Sequence, residues 1–405
     1  MHQFGVDQFG VDQLGILAVV ALALAFTFTN GFHDSANAIA TSVSTRALTP
    51  RIALTMAAIA NFVGAFFGAH LAQSVGAGII DAPTGGRGLA ICAAALIGAT
   101  TWNLLTWWRG LPSSSSHALI GGLGGAALAA GSTVHWHGVW DRVVLPMLAL
   151  PIIGFAGGYA VMLALLWIFR NAHPASVTRG FRLAQTVSAS AMAFGHGMQD
   201  AAKPAGVIAL ALTVAGHHDV ADATPPWWVL AVCALVLSAG TYAGGWRIMR
   251  TMGKGIVEVT SPQGLAAETT SAAAILASSH MGFGLSTTQV CAGSIMGSGV
   301  GRKLADVRWG TARRMVYGWL LTLPAAALAG AIAAAIAGTG TLGLVIVFAG
   351  LVAGAAAIYA ISRRAPVSAD NVNDARDVVI NPTDPEPTAG PSAGPAAPSP
   401  REVTG

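Results

Sequence analysis

The 405-residue chain is 54% hydrophobic, only 9% charged, and carries a formal net charge of +4. A soluble globular domain is about 25% charged, so a chain this long cannot wrap itself in a solvated surface, and the soluble class is excluded. So mild a net charge reflects loop asymmetry and gives no footprint for nucleic acid. The three cysteines, Cys92, Cys233 and Cys291, lie in apolar segments with neither zinc spacing nor a disulfide framework, and read as small packing residues.

In chain order, residues 1–13 hold a short duplication, FGVDQ-FGVDQ, and read as a polar lead-in. No basic region or cleavage site precedes the first apolar run, so no removable signal peptide is expected. Windows free of acidic and basic side chains follow at 52–80, 88–108, 143–169, 223–246, 269–301 and 315–362. The last is long enough for two spans, with Gly338-Thr339-Gly340-Thr341 as the turn. At roughly 20 apolar residues per crossing, the whole accommodates on the order of 10–12 transmembrane helices and half-helices. Ala-, Gly- and Leu-rich windows without alternation favour helices over a barrel, so the fold class is an all-α membrane protein.

Two transport repeats are expected, at 14–169 and 183–362, joined by a basic connecting loop at 170–182. After Arg363-Arg364 the composition shifts to Pro, Ala, Gly, Asp and Ser, and residues 363–405 read as a disordered tail. Basic residues cluster at Arg170–Arg182 and Arg302–Arg314, with Arg247, Arg250 and Lys254 as a third group. The positive-inside rule places the first two clusters in the cytoplasm and the acidic Asp7/Asp12 and Asp219/Asp222 segments outside.

The repeats are read from an internal duplication of polar residues. Asn30-Gly31-Phe32-His33-Asp34-Ser35-Ala36-Asn37-Ala38 corresponds to His196-Gly197-Met198-Gln199-Asp200-Ala201-Ala202-Lys203-Pro204. Leu111-Pro112-Ser113-Ser114-Ser115-Ser116-His117 corresponds to Phe283-Gly284-Leu285-Ser286-Thr287-Thr288-Gln289. The order is the same in each half. Paired, Gly-interrupted segments at matching positions of two halves point to a transporter site.

Asn30, Asp34, Asn37 and Thr41 share one helix face, as do His196, Asp200 and Lys203. A carboxylate in an apolar region costs several kcal/mol unless it pairs, binds a cation or reaches water. Asp34 has no basic neighbour in its own motif, so a hard cation or a proton suits it; His33 beside it is a protonation candidate. Lys203 either neutralises Asp200 or attracts an anionic substrate. Gly31 and Gly197 are expected to let the helix unwind and free carbonyls.

Ser114, Ser115 and Ser116 follow Pro112, and Ser286, Thr287 and Thr288 follow Gly284. Pro or Gly followed by Ser/Thr is a helix-start signal, and a helix start with adjacent hydroxyls suits an oxyanion. His117 and Gln289 come next in each copy; His117 is either a hydrogen-bonded packer or a proton-linked residue.

At these residues the chain resembles the PiT family of inorganic phosphate transporters, particularly the bacterial low-affinity permeases. The carriers are Gly31-Phe32-His33-Asp34-Ser35-Ala36-Asn37-Ala38, the stretch from Trp102-Asn103 through Gly110-Leu111-Pro112 into the serines, and Gly264-Leu265-Ala266-Ala267-Glu268 before the second hairpin. The resemblance spans nearly all of residues 14–362. It implies two inverted-topology repeats, each with a re-entrant helical hairpin, and phosphate held between Ser114–Ser116 and Ser286–Thr288. It implies cation coupling through Asp34, Asn37 and Asp200; Asn30, His33 and Gln199 are read as further coupling candidates, with His117, Lys203, Glu268 and Gln289 as accessory residues.

It further implies a multi-pass protein of the plasma (inner) membrane, surrounded by lipid, assembled as a homodimer, not an enzyme, and without a cofactor. In the bacterial branch the cargo can be a divalent metal–phosphate complex. Two departures, Lys203 for the second Asn and Gln289 for the usual His, favour protons over sodium as the coupling ion. A sulfate permease of the same fold is the nearest alternative. Monohydrogen phosphate, unlike sulfate near neutral pH, can donate a hydrogen bond to Asp34 or Asp200. An intramembrane hydrolase built on Ser116 and His117 lacks a Gly-x-Ser-x-Gly elbow, and adjacent helical side chains diverge. A passive channel would need a continuous polar stripe.

Overall fold

The computed structural model describes residues 4–72, 78–217, 224–302 and 307–374. The Asp219/Asp222 segment and the tail beyond residue 374 lie outside the described residues, and the side chains of Asp7 and Asp12 lie outside them too. The described chain is helical: α1 (Phe4–Ser44), α2 (Pro50–Ala65), α3 (Gly86–Trp108), α4 (Ser115–Ala129), α5 (Leu145–Ile168), α6 (Pro174–Asp200) and α7 (Ala202–Val214). There follow α8 (Trp227–Ala243), α9 (Trp246–Arg250), α10 (Ser261–His280), α11 (Thr287–Arg302), α12 (Trp309–Ala337) and α13 (Thr341–Ser362). Extended pairing among the described residues is limited to the isolated bridges Ile80–Val134 and Val257–Val307. Helix α1 takes in the described part of the polar lead-in, and the basic stretch read as a connecting loop is helical from Pro174.

Five helical stretches among the described residues are long and apolar enough to cross a membrane, and a sixth if the pair Trp227–Ala243 and Trp246–Gly255, bent by 60°, counts as one span. The motif-bearing α6 is less apolar than these spans although its central stretch carries no charge. Its polar residues reduce its hydropathy, and they are the residues that build the site.

Contacts between helices follow a two-fold pattern. Helix α1 packs on α8 and α3, and its counterpart α6 packs on α2 and α10. Helix α12 closes over the α3–α4 pair of the first half, and α5 closes over the α10–α11 pair of the second. Each half therefore lends the helix that follows its own hairpin to the hairpin of the other.

The two hairpins enter from opposite ends. Arg87 donates to the carbonyl of Ala130, and the Asp81 N–H to that of Thr133 at 3.1 Å, so both feet of α3–α4 lie at one end. Arg302 lies 3.3 Å from the Thr260 hydroxyl, and the Arg308 N–H donates to the Ile256 carbonyl at 2.9 Å, so both feet of α10–α11 lie at the other. Helices α4 and α11 have 15 and 16 residues; at about 1.5 Å per residue they fall short of a hydrocarbon core about 30 Å thick. They are re-entrant half-helices, and their starts meet inside the bundle.

Gly31 and Gly197 do not unwind the chain. Helix α1 runs unbroken through Gly31, and α6 through Gly197 to Asp200. The glycines serve close crossings instead. A Cβ on Gly31 would lie 2.3 Å from the Leu237 carbonyl oxygen of α8, and one on Gly197 would lie 2.2 Å from the Asn61 carbonyl oxygen of α2. Gly240 and Gly64 complete the crossings from the partner helices, facing the carbonyls of Phe28 and Phe194. Small residues that let membrane helices approach closely replace the hydrophobic drive that lipid removes.

Residues 363–374, the first part of the stretch read as a tail, pack back on the bundle. Arg247 donates to the carbonyls of Ser362 (2.8 Å) and Ala365 (2.5 Å), Arg250 donates to the carbonyl of Asn371 (2.7 Å), and Val372 is buried.

Gly31→Ala and Gly197→Ala are each expected to cost about 1–3 kcal/mol by overpacking, lowering the thermal unfolding midpoint of the detergent-purified protein. Gly350→Ala, with nothing within 4 Å of the added Cβ, should leave it unchanged.

Candidate functional site

The site forms where the two hairpin starts meet the motif helices. Asp34 on α1 is 2% exposed. Its Oδ2 accepts from the Ser115 hydroxyl of α4 at 2.9 Å, and its Oδ1 from the Thr288 hydroxyl of α11 at 3.2 Å. The His33 ring Nδ1 lies 2.9 Å from Oδ1, while Nε2 meets the hydroxyls of Thr106 (3.1 Å) and Ser113 (3.3 Å). Asn37, one turn on, donates to the hydroxyls of Thr288 (2.9 Å) and Thr287 (3.5 Å). One carboxylate thus ties both helix starts to α1.

Asp200 is treated differently. Lys203 donates to its Oδ1 at 2.5 Å, and Asn30 donates to its Oδ2 at 3.3 Å. The Nε2 of His196 lies 3.0 Å from the same oxygen, and its Nδ1 lies 3.1 Å from Asn61 Oδ1. Asn61 donates in turn to the Thr241 hydroxyl at 2.8 Å. Ligand-capable atoms of Asp34, His196 and Asp200 all lie within 4.8 Å of one another. The Oδ1 atoms of Asn30 and Asn37 are buried without a hydrogen-bond partner among the described residues. Carboxylate and amide oxygens in this arrangement make a donor set for a hard cation.

Helix α4 is capped by Ser114, whose hydroxyl accepts from the His117 N–H at 3.3 Å. The hydroxyl of Ser286, Nδ1 of His117 and both amide atoms of Gln289 are buried without partners among the described residues. Ser116, His117, Lys203, Gln199 and Ser286 line a cavity of about 900 Å³. Asp141 and Arg142, from the π-helical turn Trp140–Val144 that leads into α5, line it as well. Asp34 and the hydroxyls it accepts from, those of Ser115 and Thr288, are not among its lining residues.

Two expected residues stand apart from the cation donors. Gln199 braces the tip of the α10–α11 hairpin: its Nε2 donates to the hydroxyls of Ser278 (2.9 Å) and Ser279 (3.0 Å), and its Oε1 accepts from the Leu285 N–H at 2.6 Å. Glu268 forms a second buried cluster. Its carboxylate accepts from Thr41 (2.5 Å), Ser42 (2.7 Å), Ser188 (2.9 Å) and Gln185 (3.4 Å).

Sequence reasoning did not single out Asn61, Thr106, Gln185 or Ser188, and took in Ser113 only as a member of the duplicated motif. Asn61 carried a signal, an amide in an otherwise apolar window. Gln185 and Ser188 lie on the turns of α6 that precede the motif and are recognisable only once Glu268 is beside them.

The Phosphate transporter family matches the chain over residues 30–177 and again over 169–330, once for each half. A "Probable low-affinity inorganic phosphate transporter" of Mycobacterium tuberculosis is 47% identical over 362 residues, covering 88% of this chain and 86% of the relative. A protein of the same description from Bacillus subtilis is 41% identical over 319 residues, 78% of this chain and 95% of that one. Among solved structures, "The sodium-dependent phosphate transporter" superposes with a TM-score of 0.71 at 24% identity, over 79% of this chain and 98% of that one; at that identity the likeness establishes the fold. With its apolar helices the chain is a multi-pass integral protein of the plasma membrane, and it is a transporter and not an enzyme. The chain belongs to the phosphate transporter family.

Proposed function

We propose that the protein is a secondary active symporter that moves inorganic phosphate with a coupling cation by alternating access. The observation that carries this reading is the double engagement of Asp34, which accepts from Ser115 of one hairpin and from Thr288 of the other. A cation or proton on Asp34 weakens its hold on both hydroxyls and frees them, with the two helix starts, to receive phosphate. Phosphate at two helix starts meets N–H groups and hydroxyls without a fixed arginine, which permits release on the far side. Protons are the preferred coupling ion, because Lys203 already places a positive charge on Asp200.

The cavity lies toward the end that carries the feet of α3–α4. The opposite end gathers Arg302, Arg308 and the Arg247/Arg250 pair and is cytoplasmic by the positive-inside rule, so this state faces outward. Rocking of one repeat against the other would then expose the site to the cytoplasm. Carriage as a divalent metal–phosphate complex and assembly as a homodimer within the lipid belong to the same reading and rest on the family resemblance alone.

The test is radiolabelled phosphate uptake into proteoliposomes under an imposed pH gradient or an imposed sodium gradient. Wild type should take up phosphate under the pH gradient, and Asp34→Asn should lose that uptake by at least tenfold. Arsenate should compete and sulfate should not; sulfate uptake in place of phosphate would overturn the substrate assignment. A second expectation concerns Glu268. Glu268→Gln places an amide N–H₂ among hydroxyl donors, and a buried group left unsatisfied costs about 1–3 kcal/mol. The unfolding midpoint in detergent should fall, while Glu268→Asp should fall less.

A further inference from the structure

Lys203 breaks the two-fold correspondence of the motifs. The matching residue of the first half is Asn37, a neutral amide that holds the hydroxyls of Thr287 and Thr288. Lys203 instead sets its ammonium 2.5 Å from Asp200 Oδ1 and 3.4 Å from the Leu285 carbonyl at the hairpin tip. Its side chain is only 8% exposed. Asp34 has neutral hydroxyls and an imidazole around it and, among the described residues, no ammonium or guanidinium partner.

The charges can be counted. The motif pair buries two carboxylates and one ammonium, so these three groups together leave a single negative charge. An uncompensated charge inside the membrane costs several kcal/mol. With the phosphate site empty, one monovalent cation cancels it and a second would overshoot. That second cation would also have to share Asp200 Oδ1 with an ammonium already in hydrogen-bond contact. We infer that Lys203 is a resident counter-cation: it keeps a sodium-sized cation off Asp200, so that the motif pair admits one fewer coupling cation than a pair with Asn at both positions. This rests on the cation-coupled reading above and adds to it a residue that sets the coupling number.

The experiment compares wild type, Lys203→Asn, Lys203→Arg and the double variant Asp200→Asn/Lys203→Asn as full-length protein. Two readouts are taken: the steepness of phosphate uptake against sodium concentration in proteoliposomes, and the unfolding midpoint of the detergent-purified protein against sodium chloride with potassium chloride as the ionic-strength control. Lys203→Asn should gain a sodium-specific rise in midpoint and, where it transports, a Hill coefficient for sodium higher by about one. Lys203→Arg and the double variant, which keep the net charge of the wild type, should show neither gain.

A Lys203→Asn protein with slower uptake, wild-type steepness and no sodium-specific shift would overturn the inference. If Lys203→Asn does not transport, the midpoint series decides. If wild type takes up no phosphate under any gradient, the symport reading falls, while a sodium-specific shift confined to Lys203→Asn would still establish the counter-cation.

Discussion

Two carboxylates are buried at the centre of a membrane protein, and much of the architecture is an answer to their cost. A charge there is tolerated only when it is paired, solvated or exchanged for a proton. Asp34 is held by hydroxyls from two half-helices and by an imidazole, all groups that can let go. Asp200 is held by an ammonium from its own motif, within one helical turn. The pseudo-symmetric positions thus differ in kind: one carboxylate is held by neutral hydroxyls and an imidazole and the other by a tethered ammonium.

Bringing donors from α4 and α11 to Asp34 requires both helices to stop short inside the bundle. That in turn requires their buried starts to be capped and enclosed. Ser114 caps α4 with its own hydroxyl, and α12 and α5, each from the opposite half, pack along α4 and α11. The same exchange holds for the motif helices, since α8 crosses α1 and α2 crosses α6 at the paired glycines. A displacement of one half therefore carries the helices that line the hairpin of the other. The site at their junction cannot keep its hydrogen bonds through such a movement unless they are remade.

Glu268 shows a third way of keeping a carboxylate in the interior. Its donors are hydroxyls and an amide from α1 and α6, with no cation among them. This cluster ties the two motif helices together toward the end where Arg247 and Arg250 anchor residues 363–374.

The membrane class, the duplication and the placing of Asp34, Asp200 and the two hydroxyl runs on helix faces and at helix starts are legible in the sequence, because they are local. A window without charge must avoid water, residues at i and i+4 must share a helix face, and a hydroxyl run after Pro or Gly must begin a helix wherever that helix lies. What the tertiary structure decided are the pairings between residues far apart in the chain. Gly31 and Gly197 read as points of unwinding until the carbonyls of Leu237 and Asn61 are seen against them. Gln199 reads as a cation ligand until the hairpin tip at Leu285 takes its carbonyl oxygen. Residues 363–374 read by composition as tail, yet two arginines on α9 satisfy their backbone. In each case the residue has a local meaning, and a partner more than 80 residues away in the chain replaces it with another. Only the fold determines which backbone carbonyl or donor is brought within reach.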